Sequence, residues 1–338
     1  MLTKTEQTKK RLIQGLLVVF LAASLLGGLC VGRYRIHVAD LVRVFTGQEA
    51  EDELARRVIF SMRLPRVLLA FAVGAGLSVS GLSLQAMFGN PLVSSHILGI
   101  SACSGLGAAL GILLSGRILI IQGLALIFGL MGMGAALLLS RQKGGGRGML
   151  TLVLSGIIVA AVSEALTSLI KYVADPEEKL PAITYWLMGS LSSVAVKDLY
   201  TGLPVIGIGI LVLWALSWQL NVISLKDEEA VSLGLNVKYT RLIIIAATTL
   251  ICAAVVSVCG IVSFVGLAVP HFVRMLLGND NRDLVPAGVT LGGAFLIIID
   301  TAARSVSAAE IPLSILTAVI GAPVFGILLR ETGGRWND

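Results

Sequence analysis

Residues 64–87 read LPRVLLAFAVGAGLSVSGLSLQAM, a run whose one charged residue is Arg66. About 20 predominantly apolar residues in a helix cross the hydrocarbon core of a bilayer, so this run is long enough to span. Its glycines, among them Gly74, Gly76 and Gly81, suit a membrane helix, because small residues let neighbouring backbones approach closely. The run predicts a transmembrane helix packed among others.

Similar runs recur along the chain. Spans are expected at 12–32, 64–87, 96–115, 118–140, 149–173, 198–220, 240–259, 262–277, 284–303 and 311–329. The fold class that follows is all-α: a polytopic membrane protein of about ten transmembrane helices. Bulk composition agrees, since 56% of the 338 residues are hydrophobic and 14% charged, against roughly 25% charged in a soluble domain. Residues 1–338 are read as a single transmembrane domain, with an extracytoplasmic segment at 33–62 and a polar insert at 221–239. The run after Lys9, Lys10 and Arg11 is longer than the apolar core of a signal peptide and is read as a retained first helix.

Ten spans place both termini on one side. The flanking Lys4, Lys9, Lys10 and Arg11 and the loop Arg141, Lys143 and Arg147 assign that side to the cytoplasm of a plasma (inner) membrane. The net charge of +6 suits anionic lipid and calls for no nucleic acid. Arg33, Arg35, Arg43, Arg56, Arg57, Arg63 and Arg66 then fall on the outer side, against the usual bias. Glu49, Glu51, Asp52 and Glu53 lie among them, which predicts a partly self-paired surface helix, with Arg56 and Arg57 meeting the local acids. Residues 174–197 are long enough for a short outer helix.

Cys30, Cys103, Cys252 and Cys259 lie in apolar stretches without a CxxC or Cys/His pattern, so neither a disulfide framework nor a metal site is expected. No lysine follows a glycine, so the chain lacks a phosphate-cradling Gly-Lys loop. If ATP drives it, the ATPase is another chain, and no cofactor is expected on this one. In the insert, Ser224 with Asp227 and Glu228 resembles a capping box, and Gly234 is placed as a helix stop. Ala230 and Leu233 share one predicted face. Such a helix either lies at the lipid surface or docks a partner.

Several blocks carry a family resemblance. They are Arg63-Leu-Pro-Arg66, Gly81 to Gln85, Gly89-Asn-Pro-Leu92, Ile97-Leu-Gly-Ile100, Trp186-Leu-Met-Gly-Ser190, Ala230 to Asn236, Phe264 to Arg274, Asp300 to Arg304 and Gly321-Ala-Pro-Val-Phe325. In this order the chain resembles the FecCD/BtuC-like permeases, membrane subunits of ABC importers for iron-siderophores, haem and vitamin B12. The resemblance implies a homodimer of ten-helix subunits with the path at its axis. It also implies two ATPase subunits and an extracytoplasmic substrate-binding protein. On that likeness the 221–239 insert couples to the ATPase through Glu228, Ala230, Leu233, Gly234 and Leu235. Arg63, Arg66 and Arg304 are expected to face acids of the binding protein, a role the planar guanidinium suits, unless they are membrane-boundary anchors. The loop holding Gly144, Gly145 and Gly146 is placed at the cytoplasmic gate, with Met149 and Leu150 beside it.

Glu164 lies mid-span, where a carboxylate is a functional candidate by default. It either lines the path, reading a cationic or hydroxyl-bearing chelate, or bonds Ser168 one turn on. His271 reads as structural, and His96 begins the third span in a Ser94-Ser95-His96 variant of the family turn. An iron(III)-siderophore is the favoured cargo, with haem, cobalamin, molybdate or tungstate as alternatives. Two further classes are weaker: a proton-coupled carrier using Glu164 and Asp300, and an intramembrane enzyme, for which His37, His96 and His271 are too scattered.

Overall fold

The computed structural model describes residues 4–46, 53–141, 148–192, 194, 196–307 and 309–332. The first helices in chain order are α1 (Lys4–Cys30), α2 (Val38–Phe45), α3 (Glu53–Arg57) and, after a π-helical stretch at Val58–Arg63, α4 (Leu64–Phe88). Next come α5 (Ile100–Leu114), α6 (Ile118–Leu139), α7 (Met149–Val173) and α8 (Lys179–Leu187). The remainder are α9 (Val196–Ala215), α10 (Ser217–Ile223), α11 (Asp227–Ser232), α12 (Val237–Cys259), α13 (Val265–Leu277), α14 (Asn281–Val306) and α15 (Leu313–Thr332). Seven helices are long and apolar enough to cross a membrane, and α5, α13 and α15 are shorter apolar helices among the described residues. Each of the ten expected spans coincides with one of these helices.

The run at 64–87 is the hub of the bundle. Helix α4 is apolar on all sides and buried along nearly its whole length, packed by α9, α12, α13 and α14. It runs antiparallel to α14: Arg66 meets Asp300, Gly74 meets Gly292, and Leu82 meets Gly288. A Cβ on Gly74 would collide with the Gly292 carbonyl, and one on Gly81 with the carbonyl of Gly266 in α13. Glycine is required at these crossings because backbone touches backbone. In lipid, such packing takes over the role that hydrophobic burial has in water.

Antiparallel packing gives the molecule two distinct ends. At one lie Arg63, Arg66, Asp300 and Arg304. At the other lies the start of α14, where Asn221 of α10 donates to Asp280 at 2.7 Å and Lys10 of α1 pairs with Asp283 at 2.7 Å. The start of α1 and the 221–239 insert therefore share an end, opposite the arginines. Helix α15 begins beside Gly189 near the arginine end, its Leu313 amide bonding the Gly189 carbonyl, and runs back toward the insert. The described start of α1 and the described end of α15 therefore lie toward the same end of the bundle.

Two spans start later than expected. The third span starts at Ile100 because residues 89–99 are irregular, with Gly89 and Gly99 both at positive φ. The eighth starts at Val265, after a non-helical turn in which Phe264 has φ 64°. Non-helical backbone at membrane depth is tolerated where protein buries it, and Val262 and Val265 are buried here. Residues 174–197 do hold a short helix, α8. Part of 33–62 forms two, α2 and α3, with Arg57 donating to Glu53 at 2.9 Å. Glu49, Glu51 and Asp52 lie outside the described residues.

Candidate functional site

At the arginine end, α1 stops at Cys30 and leaves carbonyls without helical partners. Arg63 donates to the Leu29 carbonyl at 2.6 Å, to Cys30 at 3.0 Å and also to Tyr34, while Arg304 donates to Gly28. Two cations at a helix C-terminus also answer its partial negative charge. Gly32 makes room, since a Cβ there would press on the Arg63 guanidinium. Arg66 divides its guanidinium between two carboxylates: its Nε and Nη2 donate to Asp300 at 2.8–2.9 Å, and its Nη1 and Nη2 to Glu310 at 3.0–3.1 Å. Arg304 adds a longer contact to Asp300, 3.9 Å.

The three expected docking residues are thus brought together, but buried. The Arg66 side chain is 11% exposed and that of Asp300 1%. Their bonds are made within the chain, and a partner carboxylate would have to displace them. Exposed cations at this end include Arg33, Arg35, Arg56 and Arg57. Sequence reading missed Asp300 and Glu310 as the partners of Arg66, because those residues lie more than two hundred positions away. Glu310 itself takes a left-handed backbone at φ 47°.

At the opposite end the insert is built differently from its expected form. Ser224 is no capping box: it ends α10 and donates to Asn221 at 2.7 Å, so α11 begins after Lys226 without a side-chain cap. Gly234 does stop the helix, with φ 82° and the Leu235 amide bonding the Ala230 carbonyl at 3.0 Å. This is a glycine-terminated helix end, which satisfies the last carbonyls. The common face of Ala230 and Leu233 is corrected by burial: Ala230 is 1% exposed and Leu233 57%. Ala230 and Leu235 anchor the insert, and Glu228, Leu233 and Gly234 remain outside. Asp227 ties α11 to α12 through Arg241, at 2.6 and 3.0 Å. Nearby, the hydrogen bond from Arg282 holds the Asp280 carboxyl well below the usual carboxylate range.

A cavity of about 980 Å³ separates α6 and α7 from the insert, and Met149, Leu152, Gly234, Leu235, Lys238 and Arg241 help line it. It joins the expected gate residue Met149 to the coupling insert. Leu150 is not among the lining residues and is exposed. Gly144, Gly145 and Gly146 lie outside the described residues. Glu164 sits on an exposed face of α7. Ser168 bonds the Glu164 backbone carbonyl at 2.9 Å rather than its carboxylate. His271 is buried, edge-on to Phe325. The cysteines are unpaired thiols, Cys103, Cys252 and Cys259 buried and Cys30 partly so.

A multi-pass helical bundle with an anchored polar insert at one end and a braced cationic frame at the other defines the membrane subunit of a transporter. The chain belongs to the FecCD transport family, whose model matches residues 16–331. It is 39% identical over 320 residues to the molybdate import system permease protein MolB of Haemophilus influenzae, covering 94% of each chain. It is also 39% identical over 279 residues to the cobalamin import system permease protein BtuC of Halobacterium salinarum, covering 82% of this chain and 75% of that one. A solved structure of an ABC transporter assigned to the metal-chelate type, in an inward-facing conformation, matches with a TM-score of 0.86 and 36% identity. The match covers 94% of this chain and 99% of that one. The chain is therefore an ABC importer permease, a transport component.

Proposed function

We propose that two copies of this chain form the membrane path of an ATP-driven importer that moves a metal chelate, an iron(III)-siderophore first among the candidates, into the cytoplasm. The observation that carries the reading is the insert. Ala230 and Leu235 hold a short helix to the bundle while Glu228, Leu233 and Gly234 project from it. Such a rigid knob suits a groove on a separate ATPase, which consumes the ATP. The insert end is then the cytoplasmic one, both termini face the cytoplasm, and the arginine end faces the binding protein in a plasma (inner) membrane.

In this reading Arg63, Arg66 and Arg304 form the frame of the docking face, and exposed Arg35 and Arg56 add positive charge to it. Closing of the ATPases moves α11, and the Asp227–Arg241 tie passes that movement to α12 and to the Met149 gate, with Gly145 and Leu150 beside it. The likeness to MolB supports a second cargo, a molybdate or tungstate oxyanion. The test is uptake into proteoliposomes holding the permease with its ATPase and binding protein, with a ferric siderophore and molybdate offered separately. Uptake should require ATP and all three components. Uptake by the permease alone would overturn the reading.

A further inference from the structure

Helix α7 carries several polar residues outward. Ser163 and Thr167 turn into the bundle, but Glu164, Ser168 and Tyr172 are exposed and Lys171 is half-buried. Spacings of three, four and three residues put Ala161, Glu164, Ser168 and Lys171 on one stripe. The lower part of the same stripe, Leu150, Leu154 and Ile157, is apolar and exposed. Glu164 lies fifteen residues into the helix, about 22 Å from its start, well within the hydrocarbon. A carboxylate at that depth turned toward lipid would be costly, and membrane proteins turn such groups to a protein interior or to water. Among the described residues, no hydrogen bond or ion pair engages the Glu164 carboxylate. His96 lies within its electrostatic reach, its ring bonded to the Val262 backbone.

We propose that Glu164 is a charge-selecting residue of the translocation path, favouring cargo with a cationic or hydrogen-bond-donating surface and disfavouring bare oxyanions. The inference rests on the reading that the exposed face of α7 lines a path between two copies of the chain. A twofold axis then brings two carboxylates to one depth, and low-dielectric walls focus their field. Lys171 stands about 10 Å nearer the arginine end along the axis, about one screening length away at physiological ionic strength. At the depth of Glu164 the carboxylates therefore set the sign. A metal chelate presenting amines or hydroxyls meets acceptors there; a molybdate dianion meets like charge.

Thiol labelling tests the path and its sign separately, in the intact transporter in nanodiscs. Ser168→Cys places a thiol one turn from Glu164. Its modification rates by a cationic trimethylammonium methanethiosulfonate and an anionic sulfonate analogue are measured at pH 8, where an ordinary imidazole is neutral. The parent protein gives the background from the four native cysteines, and Tyr172→Cys at the mouth reports that the preparation is intact. The expected cation-to-anion ratio at Ser168→Cys is about tenfold above that of a free thiol. It should fall to the free-thiol value with Glu164→Gln and persist with Glu164→Asp. A ratio unmoved by Glu164→Gln would overturn the charge selection and leave the path intact. Failure of Ser168→Cys to react with either reagent, with Tyr172→Cys still reactive, would overturn the path assignment and the inference with it.

Discussion

Arg66 is fixed by Asp300 and Glu310 in a site where neither Arg66 nor Asp300 meets much solvent. Removing one partner of a buried pair leaves an uncompensated charge, which costs roughly 3–5 kcal/mol. Arg66→Ala should accordingly lower the thermal unfolding temperature of the purified permease. The double variant Arg66→Met with Asp300→Leu, which removes both charges of this pair, should recover most of the loss. If Arg66→Ala kept its melting temperature but lost affinity for the binding protein, the residue would be a contact rather than a brace. The motif Arg63-Leu-Pro-Arg66 was legible as a family mark, but its chemistry was not. Guanidinium groups serve equally to cap a helix, pair a buried acid or grip a partner, and only distances to Leu29, Cys30 and Asp300 separate these uses.

At the scale of the element, α11 has one buried side and one exposed side within six residues. Leu233 belongs to the exposed side, so Leu233→Asp should leave the melting temperature of the permease unchanged. The same change should weaken capture of the ATPase about tenfold or more, as expected for one apolar anchor of an interface. Ala230→Asp should instead reduce the yield of folded permease, because its side chain has no outlet to water. Co-purification with the ATPase and thermal unfolding, measured together, distinguish the two. Gly234 was readable as a stop because left-handed backbone favours glycine. The split between Ala230 and Leu233 was not readable, since three residues of helical spacing give a common face only when the helix packs symmetrically on its support.

Across the whole molecule, the α4–α14 seam decides how the bundle closes. Gly74→Val would drive a side chain into the Gly292 backbone. Overpacking of this kind costs typically 1–3 kcal/mol, more where backbone must shift. The expected outcome is a loss of monodisperse permease in size-exclusion chromatography, with Gly292→Val failing likewise. Gly134, whose added Cβ would meet nothing within 4 Å, is the matched control, and Gly134→Val should elute as the parent does.

The sequence by itself determined the ten apolar helices, the glycine stop at Gly234 and the family, because hydrophobic length, turn stereochemistry and local motifs are properties of consecutive residues. Tertiary structure alone decided that α4 is the hub, that Arg63, Arg66 and Arg304 are bonded inside the chain, that Ala230 faces inward, and that the polar stripe of α7 faces out. Those outcomes depend on which helices touch. In lipid that choice is made by close backbone contact and by pairing of distant charges such as Arg66 with Asp300, neither of which leaves a pattern in any short stretch of the chain.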